Sequence, residues 1–176
     1  MSPQHYPIDP GLLYGGEYPG DWDPDFAEAR LRQLIAIGIR TFVDLTERDD
    51  EMEPYVEMLG ELERNMGVSL SRLSMPIPDV GIPQSKENMR SILSAIRTGI
   101  QQSPAVYIHC WGGIGRTGTV VGCWFRECGL GPDAALERVQ QLYSAHMPKA
   151  KFREHRYSPE TQEQMDYVRH WQPEHH

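Results

Sequence analysis

The chain has 176 residues, a length that suits one domain with a sizeable core. Its 17 Lys and Arg stand against 25 Asp and Glu, a net charge of −8, which argues against general nucleic-acid or anionic-membrane binding. No apolar run approaches the ~20 residues of a membrane span, and Met1 to His5 open no basic, then apolar, leader, so a cytoplasmic protein is expected.

In chain order, residues 12–16 read as a short strand ending in a Gly-Gly turn. Asp23 then supplies an N-cap and Pro24 an N1 proline, and Ala27, Leu31, Leu34 and Ile35 recur at helical spacing up to Gly38. Residues 40–45 are β-rich and read as a buried strand, followed by the polar loop 46–50. Residues 53–66 form an acidic helix closed by Gly67, and 70–75 alternate as another strand. A loop with three prolines, one glycine and one carboxylate, Asp79, fills 76–83. Met89, Ile92, Leu93, Ile96 and Ile100 stripe a helix within 84–102. Apolar residues 105–108 make the next strand. Helices then dominate: 117–128, 132–144 with Ala135, Val139, Leu142 and Tyr143 on one face, and a last helix capped by Ser158, with Pro159 at N1, running to Trp171. This alternation implies βαβ units around a largely parallel sheet, a single α/β domain.

One stretch concentrates the chemistry. Ala105 to Ile108 delivers the chain into His109-Cys110-Trp111-Gly112-Gly113-Ile114-Gly115-Arg116-Thr117-Gly118, and helix-tolerant sequence follows. A strand, a Gly-rich loop and a helix aim successive backbone N–H groups and the positive helix end at one spot, which suits an anion. Cys110 at that spot is favoured as a nucleophilic thiolate. Arg116 offers a planar fork for two phosphate oxygens. The glycines let the backbone turn tightly and come close to the ligand. Thr117 is placed to hydrogen-bond the Cys110 sulfur, and His109 to fix the loop from behind. The absence of Gly-Lys-Ser/Thr sets a Walker A loop aside.

His-Cys-x5-Arg-Thr, here His109, Cys110, Arg116 and Thr117, resembles the signature loop of the cysteine-dependent protein tyrosine phosphatases. The flanking Gly-x-Gly-Arg-Thr-Gly-Thr is similar to their small atypical dual-specificity branch. The resemblance implies a five-stranded, mostly parallel sheet flanked by helices, with the loop at the sheet's C-terminal edge. It further implies metal-independent phosphomonoester hydrolysis through a phosphocysteine, with no cofactor. The phosphate would be bound by Cys110, Trp111, Gly112, Gly113, Ile114, Gly115 and Arg116.

Such a reaction needs an acid for the leaving oxygen and later a base for water. Ile77-Pro78-Asp79 resembles the acid loop of the same branch, so Asp79 is the candidate, against its reading as a turn residue between prolines. Glu160-Thr161-Gln162-Glu163-Gln164 resembles the opening of the family's last helix, which makes Gln164 a supporting candidate for placing water. Glu47 and Arg48, in a loop like the family's Leu-Thr-Glu-Arg, shape the rim or are simply solvated. Lys149, Lys151, Arg153 and Arg156 recruit an acidic ligand or form a solvated loop. The three cysteines form no CxxC pair, which argues against a disulfide scaffold or zinc site; Cys123 and Cys128 are packing residues, with a redox partnership to Cys110 as the alternative.

Three functions follow: a protein phosphatase, a phosphatase of a nucleotide, sugar or inositol phosphate, and a non-catalytic phosphate-binding module. The loop's variable positions hold no lysine, which makes a phosphoinositide less expected. Preference among phosphotyrosine, phosphoserine and phosphothreonine stays open. A monomer is expected.

Overall fold

Five short strands form one sheet; segments 39–44 and 105–109 at its centre are buried on both faces, 5–9 buries alternate residues, and 71–74 buries none. A computed structural model describes residues 4–48, 50 and 54–174 of the chain. In chain order the elements are β1 (His5–Asp9), β2 (Leu13–Gly16), α1 (Pro24–Ala36), β3 (Ile39–Asp44), α2 (Val56–Met66), β4 (Ser71–Ser74), α3 (Lys86–Gln102), β5 (Ala105–His109), α4 (Gly115–Glu127), α5 (Pro132–His146), α6 (Lys149–Glu154) and α7 (Gln162–His170). The sheet order is β1-β2-β5-β3-β4, with β1 antiparallel to β2 and the remaining pairs parallel.

Successive residues of a strand face opposite ways, and β5 shows this most plainly. Val106 and Ile108 enter a core formed with Ile92, Leu93 and Ile96 of α3 and Val120 and Val121 of α4. Ala105 and Tyr107 enter the other core, with Leu31, Leu34 and Ile35 of α1 and Leu59 and Leu62 of α2. Helices on both faces explain why 105–108 is apolar throughout rather than alternating.

The register fixes the position of the site. Gly16 of β2 and Asp44 of β3 both align with His109 of β5, and Ser74 of β4 aligns with Asp44. Four strands therefore end at one level, and the loops after β2, β3, β4 and β5 open over the same edge. In open α/β sheets this edge is where ligands bind.

Several boundaries differ from those expected. β1 is an additional edge strand: Tyr6 and Ile8 are buried and Pro7 is tolerated there because an edge strand has N–H positions outside the ladder. The helix expected from residue 53 begins at Val56, and residue 53 itself lies outside the described residues. The basic run expected as a loop contains α6, six residues with none buried. The last helix begins at Gln162 rather than at Ser158. Thr161 caps it in a reciprocal box with Gln164, whereas the Ser158 hydroxyl donates to the Ile114 carbonyl at 2.8 Å.

Candidate active site

The loop from Cys110 to Ile114 connects β5 to α4, whose first turn begins at Gly115. It is clamped from two sides. Tyr18 N–H donates to the Trp111 carbonyl at 2.8 Å, and the Ser158 hydroxyl holds Ile114. Gly113 has φ +70°, and a Cβ there would overlap the Gly16 carbonyl, so the loop lies flat on the end of β2. Gly118 serves the other side, because a Cβ would occupy the position of Ser158 Oγ.

Cys110 is buried at the foot of this loop, and the Thr117 hydroxyl donates to its Sγ at 3.1 Å. Arg116 is 3% exposed. Its Nη1 donates to Asp50 Oδ2 at 2.8 Å and to the Ile77 carbonyl at 3.3 Å, and its Nη2 pairs with Asp79 Oδ1 at 3.0 Å. One guanidinium thus ties together the loops after β3, β4 and β5. Asp79 itself is exposed, and its backbone N–H donates to Glu47 Oε2 at 3.1 Å. Glu47 therefore does more than edge the rim: it anchors the loop that carries Asp79. Arg48 is exposed.

Behind the loop, His109 is fully buried among the rings of Tyr18, Tyr55 and Tyr107, with centroids 5.4–5.7 Å away. Burial lowers its pKa below the ordinary value, against the pull of Asp44 and the Cys110 carbonyl. The ring is neutral and has one N–H to place. Burial pushes the Tyr55 phenol well above its usual range, so it keeps its proton and donates it to His109 Nε2 at 2.7 Å. Nδ1 then carries the hydrogen and donates to the Cys110 carbonyl at 3.1 Å. Asp44 completes this buried group. Burial opposes its charge, but the neighbouring His109, two bonds from Thr46 and the Arg72 guanidinium hold the carboxyl below its usual range.

Gln164 lies beneath the same loop, its amide 2.9 Å from where a Gly115 Cβ would stand. Oε1 accepts from the backbone N–H of Glu160 at 3.0 Å and of Thr161 at 3.1 Å, and Nε2 donates to the Gly81 carbonyl at 2.9 Å.

Cys110, Trp111, Gly112, Ile114, Gly115, Arg116, Asp79 and Gln164 line one cavity of about 710 Å³. Trp111, at 64% exposure, and Trp22 of the β2–α1 connection, at 74%, both line it. α6 forms a wall through Lys151 and Glu154. Of the basic run, Lys151 alone reaches this cavity, and Glu17 neutralises it at 2.7 Å. Cys123 is buried in α4, six residues beyond Thr117, about 9 Å of helix rise. Its burial fits the packing role, whereas Cys128, at the C-cap of α4, is exposed and does not.

Two residues of the site carry little signal in the sequence. Asp50 is one acidic residue in an acidic run, identifiable only from the rule that a buried Arg needs a carboxylate. Tyr55 precedes α2 as a lone aromatic, and nothing local marks it as the partner of His109.

Comparisons with known proteins agree with this geometry. A family model described as "Swiss Army Knife protein, DSP-PTPase phosphatase domain" matches residues 8–168. The 067L protein of Invertebrate iridescent virus 3, whose name provisionally assigns it to the tyrosine phosphatases, is 31% identical over 140 residues, 77% of this chain and 51% of that protein. The chain spans about half the length of the curated relatives it matches, the three shares being 51%, 50% and 43%. Among solved structures, Tk-PTP in its active form superposes with a TM-score of 0.68 at 28% identity, covering 96% of this chain and 95% of that one. Kinase associated phosphatase, with its catalytic cysteine replaced by serine, shares the fold at TM-score 0.65 and 18% identity, covering 94% of this chain and 90% of that one. The chain belongs to the dual-specificity and tyrosine phosphatase domain family.

Proposed function

We propose that the protein is a cysteine-dependent protein phosphatase that removes phosphate from phosphorylated side chains in two steps. One observation carries the reading: Cys110 Sγ with its Thr117 donor, the Arg116 fork and the Asp79 carboxyl converge on one cavity at the N-terminus of α4. The phosphate oxygens would lie against the N–H groups of 111–116 and the Arg116 guanidinium. A bound dianion takes the Nη2 donor that Asp79 holds and turns the acid toward the leaving oxygen.

In the first step the Cys110 thiolate attacks phosphorus, the bond to the substrate oxygen breaks, and Asp79 gives that oxygen its proton. In the second, water attacks phosphorus, its proton passes to the Asp79 carboxylate, and the sulfur leaves as thiolate, stabilised by Thr117. Inorganic phosphate is released. Neither step calls on a metal or cofactor. Exposed Trp22, Trp111 and Val80 around the mouth favour a protein segment over a small phosphate. The acidic chain and its three free cysteines fit a monomer in the cytoplasm acting on neither nucleic acid nor membrane.

The test is para-nitrophenyl phosphate hydrolysis in EDTA by wild type, Cys110→Ser and Asp79→Asn. Wild type should turn over, Cys110→Ser should not, and Asp79→Asn should fall by roughly 10²-fold or more on an alkyl phosphate, which needs the proton. Wild-type silence would leave a phosphate-binding module. A phosphotyrosyl peptide assayed beside nucleotide, sugar and inositol phosphates decides the substrate class.

A further inference from the structure

The loop that carries Asp79 is a tight turn. Gly81 N–H donates to the Pro78 carbonyl at 2.9 Å, and Val80 has φ +59°, a left-handed conformation that a β-branched residue adopts only when its surroundings impose it. Asp79 is the second residue of this turn, so whatever grips Gly81 also sets Asp79. The grip is the Gln164 amide. Gln164 has no exposed surface, and its Nε2 donates to the Gly81 carbonyl.

The other end of the amide is fully occupied. Oε1 has two lone pairs, and the N–H groups of Glu160 and Thr161 take both. A side chain that orients hydrolytic water as it loses its proton must accept a hydrogen bond from it. Gln164 has no acceptor to offer.

We propose that Gln164 is a positioning residue for the general acid, a strut from the cap of α7 to Gly81 that holds Asp79 over the phosphate. This rests on the phosphatase reading above and assigns Gln164 to the first chemical step rather than the second. The remaining anchors of the turn, Glu47 on the Asp79 N–H and Arg116 on its carboxylate, lie on the β3 and β5 sides. Gln164 is the anchor from the opposite side, and Arg116 is the one that substrate takes over. The strut therefore matters most with phosphate bound.

Gln164→Glu separates the strut from the cap. Its carboxylate still accepts from the backbone N–H groups of Glu160 and Thr161 but cannot donate to Gly81. The variant should lose roughly three- to tenfold more kcat on phenyl phosphate than on para-nitrophenyl phosphate, since only the poorer leaving group depends on the proton. The same substitution in an Asp79→Asn background should cost nothing further, because the residue acts through Asp79. Gln164→Met, close in volume, should show the same leaving-group dependence and also a lowered melting temperature from the lost cap. Reading the ratio of two substrates prevents a partly unfolded preparation from mimicking the effect.

Two results would overturn the proposal. One is an equal loss in the Asp79→Asn background. The other is a burst of nitrophenol stoichiometric with enzyme, which would put the defect in hydrolysis of the phosphocysteine. Wild type without turnover removes the phosphatase reading and the strut with it, and that result is visible before any variant is made.

Discussion

Tyr55 and His109 show how one hydroxyl can reach the backbone of Cys110 through two bonds. The phenol donates to Nε2, so Nδ1 must donate to the Cys110 carbonyl, and the peptide that begins the phosphate loop is fixed. Tyr55→Phe removes the donor and leaves Nε2 buried without a partner, a loss of about 1–3 kcal/mol. The hydrogen is then free to move to Nε2, which breaks the bond to Cys110. Urea unfolding should register the destabilisation, and kcat on para-nitrophenyl phosphate should fall several-fold with KM less affected. A variant equal to wild type in both would mean that the aromatic box alone, Tyr18 and Tyr107 included, orients the imidazole.

At the scale of elements, the site depends on β5 delivering its loop flat against the end of β2. Gly113 is where that contact is closest. Gly113→Ala forces a side chain into φ +70° and onto the Gly16 carbonyl and the Glu17 N–H, which is backbone and cannot swing aside. The left-handed conformation alone costs of order 1–3 kcal/mol, and the overlap must also lift the loop. The expected result is a lower melting temperature together with loss of nearly all turnover, measured against Gly129→Ala. Gly129 has φ +94° but open space around its Cβ, so that control carries the backbone strain without the clash. Equal losses in stability and activity for the two would show that the β2 contact contributes nothing.

The same elements explain what the sequence reveals. The spacing from Cys110 to Arg116 marks the loop because strand, glycines and helix are contiguous in the chain. The apolar run 105–108 marks a doubly covered strand for the same local reason. Asp79 is legible only through the loop that it serves, since an Asp between prolines is otherwise a turn residue. Asp50 is legible only as a carboxylate for a buried Arg and Tyr55 not at all, because their partners Arg116 and His109 lie 66 and 54 residues away in the chain. α6 escapes a search for apolar periodicity because none of its residues is buried. The start of α7 is misplaced for a different reason: Ser158 has the right residue type for a cap, but its hydroxyl is taken by Ile114.

For the molecule as a whole, a net charge of −8 surrounds a site built to hold an anion. The attraction is therefore confined to the loop. Outside it, the cavity wall carries Glu17, Asp21, Glu154 and Glu160. The lining cations Lys151 and Arg30 are each held by a carboxylate, Lys151 by Glu17 at 2.7 Å and Arg30 by Asp21 at 3.2 Å. With Glu17 and Asp21 so paired, the wall's net negative charge rests on Glu154 and on Glu160, which lies 3.1 Å from His155, and a ligand with several phosphates meets Arg116 for one of them and these carboxylates for the rest. A phosphorylated segment with Lys or Arg beside the phosphorylated residue meets the opposite situation: the same carboxylates attract its flanks, and the exposed Trp22 and Trp111 faces accept cationic side chains. Phosphotyrosyl peptides with Arg on both sides should therefore show kcat/KM roughly tenfold above peptides with Glu on both sides at low salt, a difference of about 1.4 kcal/mol. Raising ionic strength from about 0.01 to 0.15 M shortens the screening length from ~30 to ~8 Å, so the ratio should shrink as salt is added. Glu154→Lys, on an exposed wall position outside the phosphate loop, should narrow the ratio further at fixed salt. If Glu-flanked peptides are hydrolysed as well as Arg-flanked ones at low salt, the wall does not select, and discrimination resides in the loop and its two tryptophans alone.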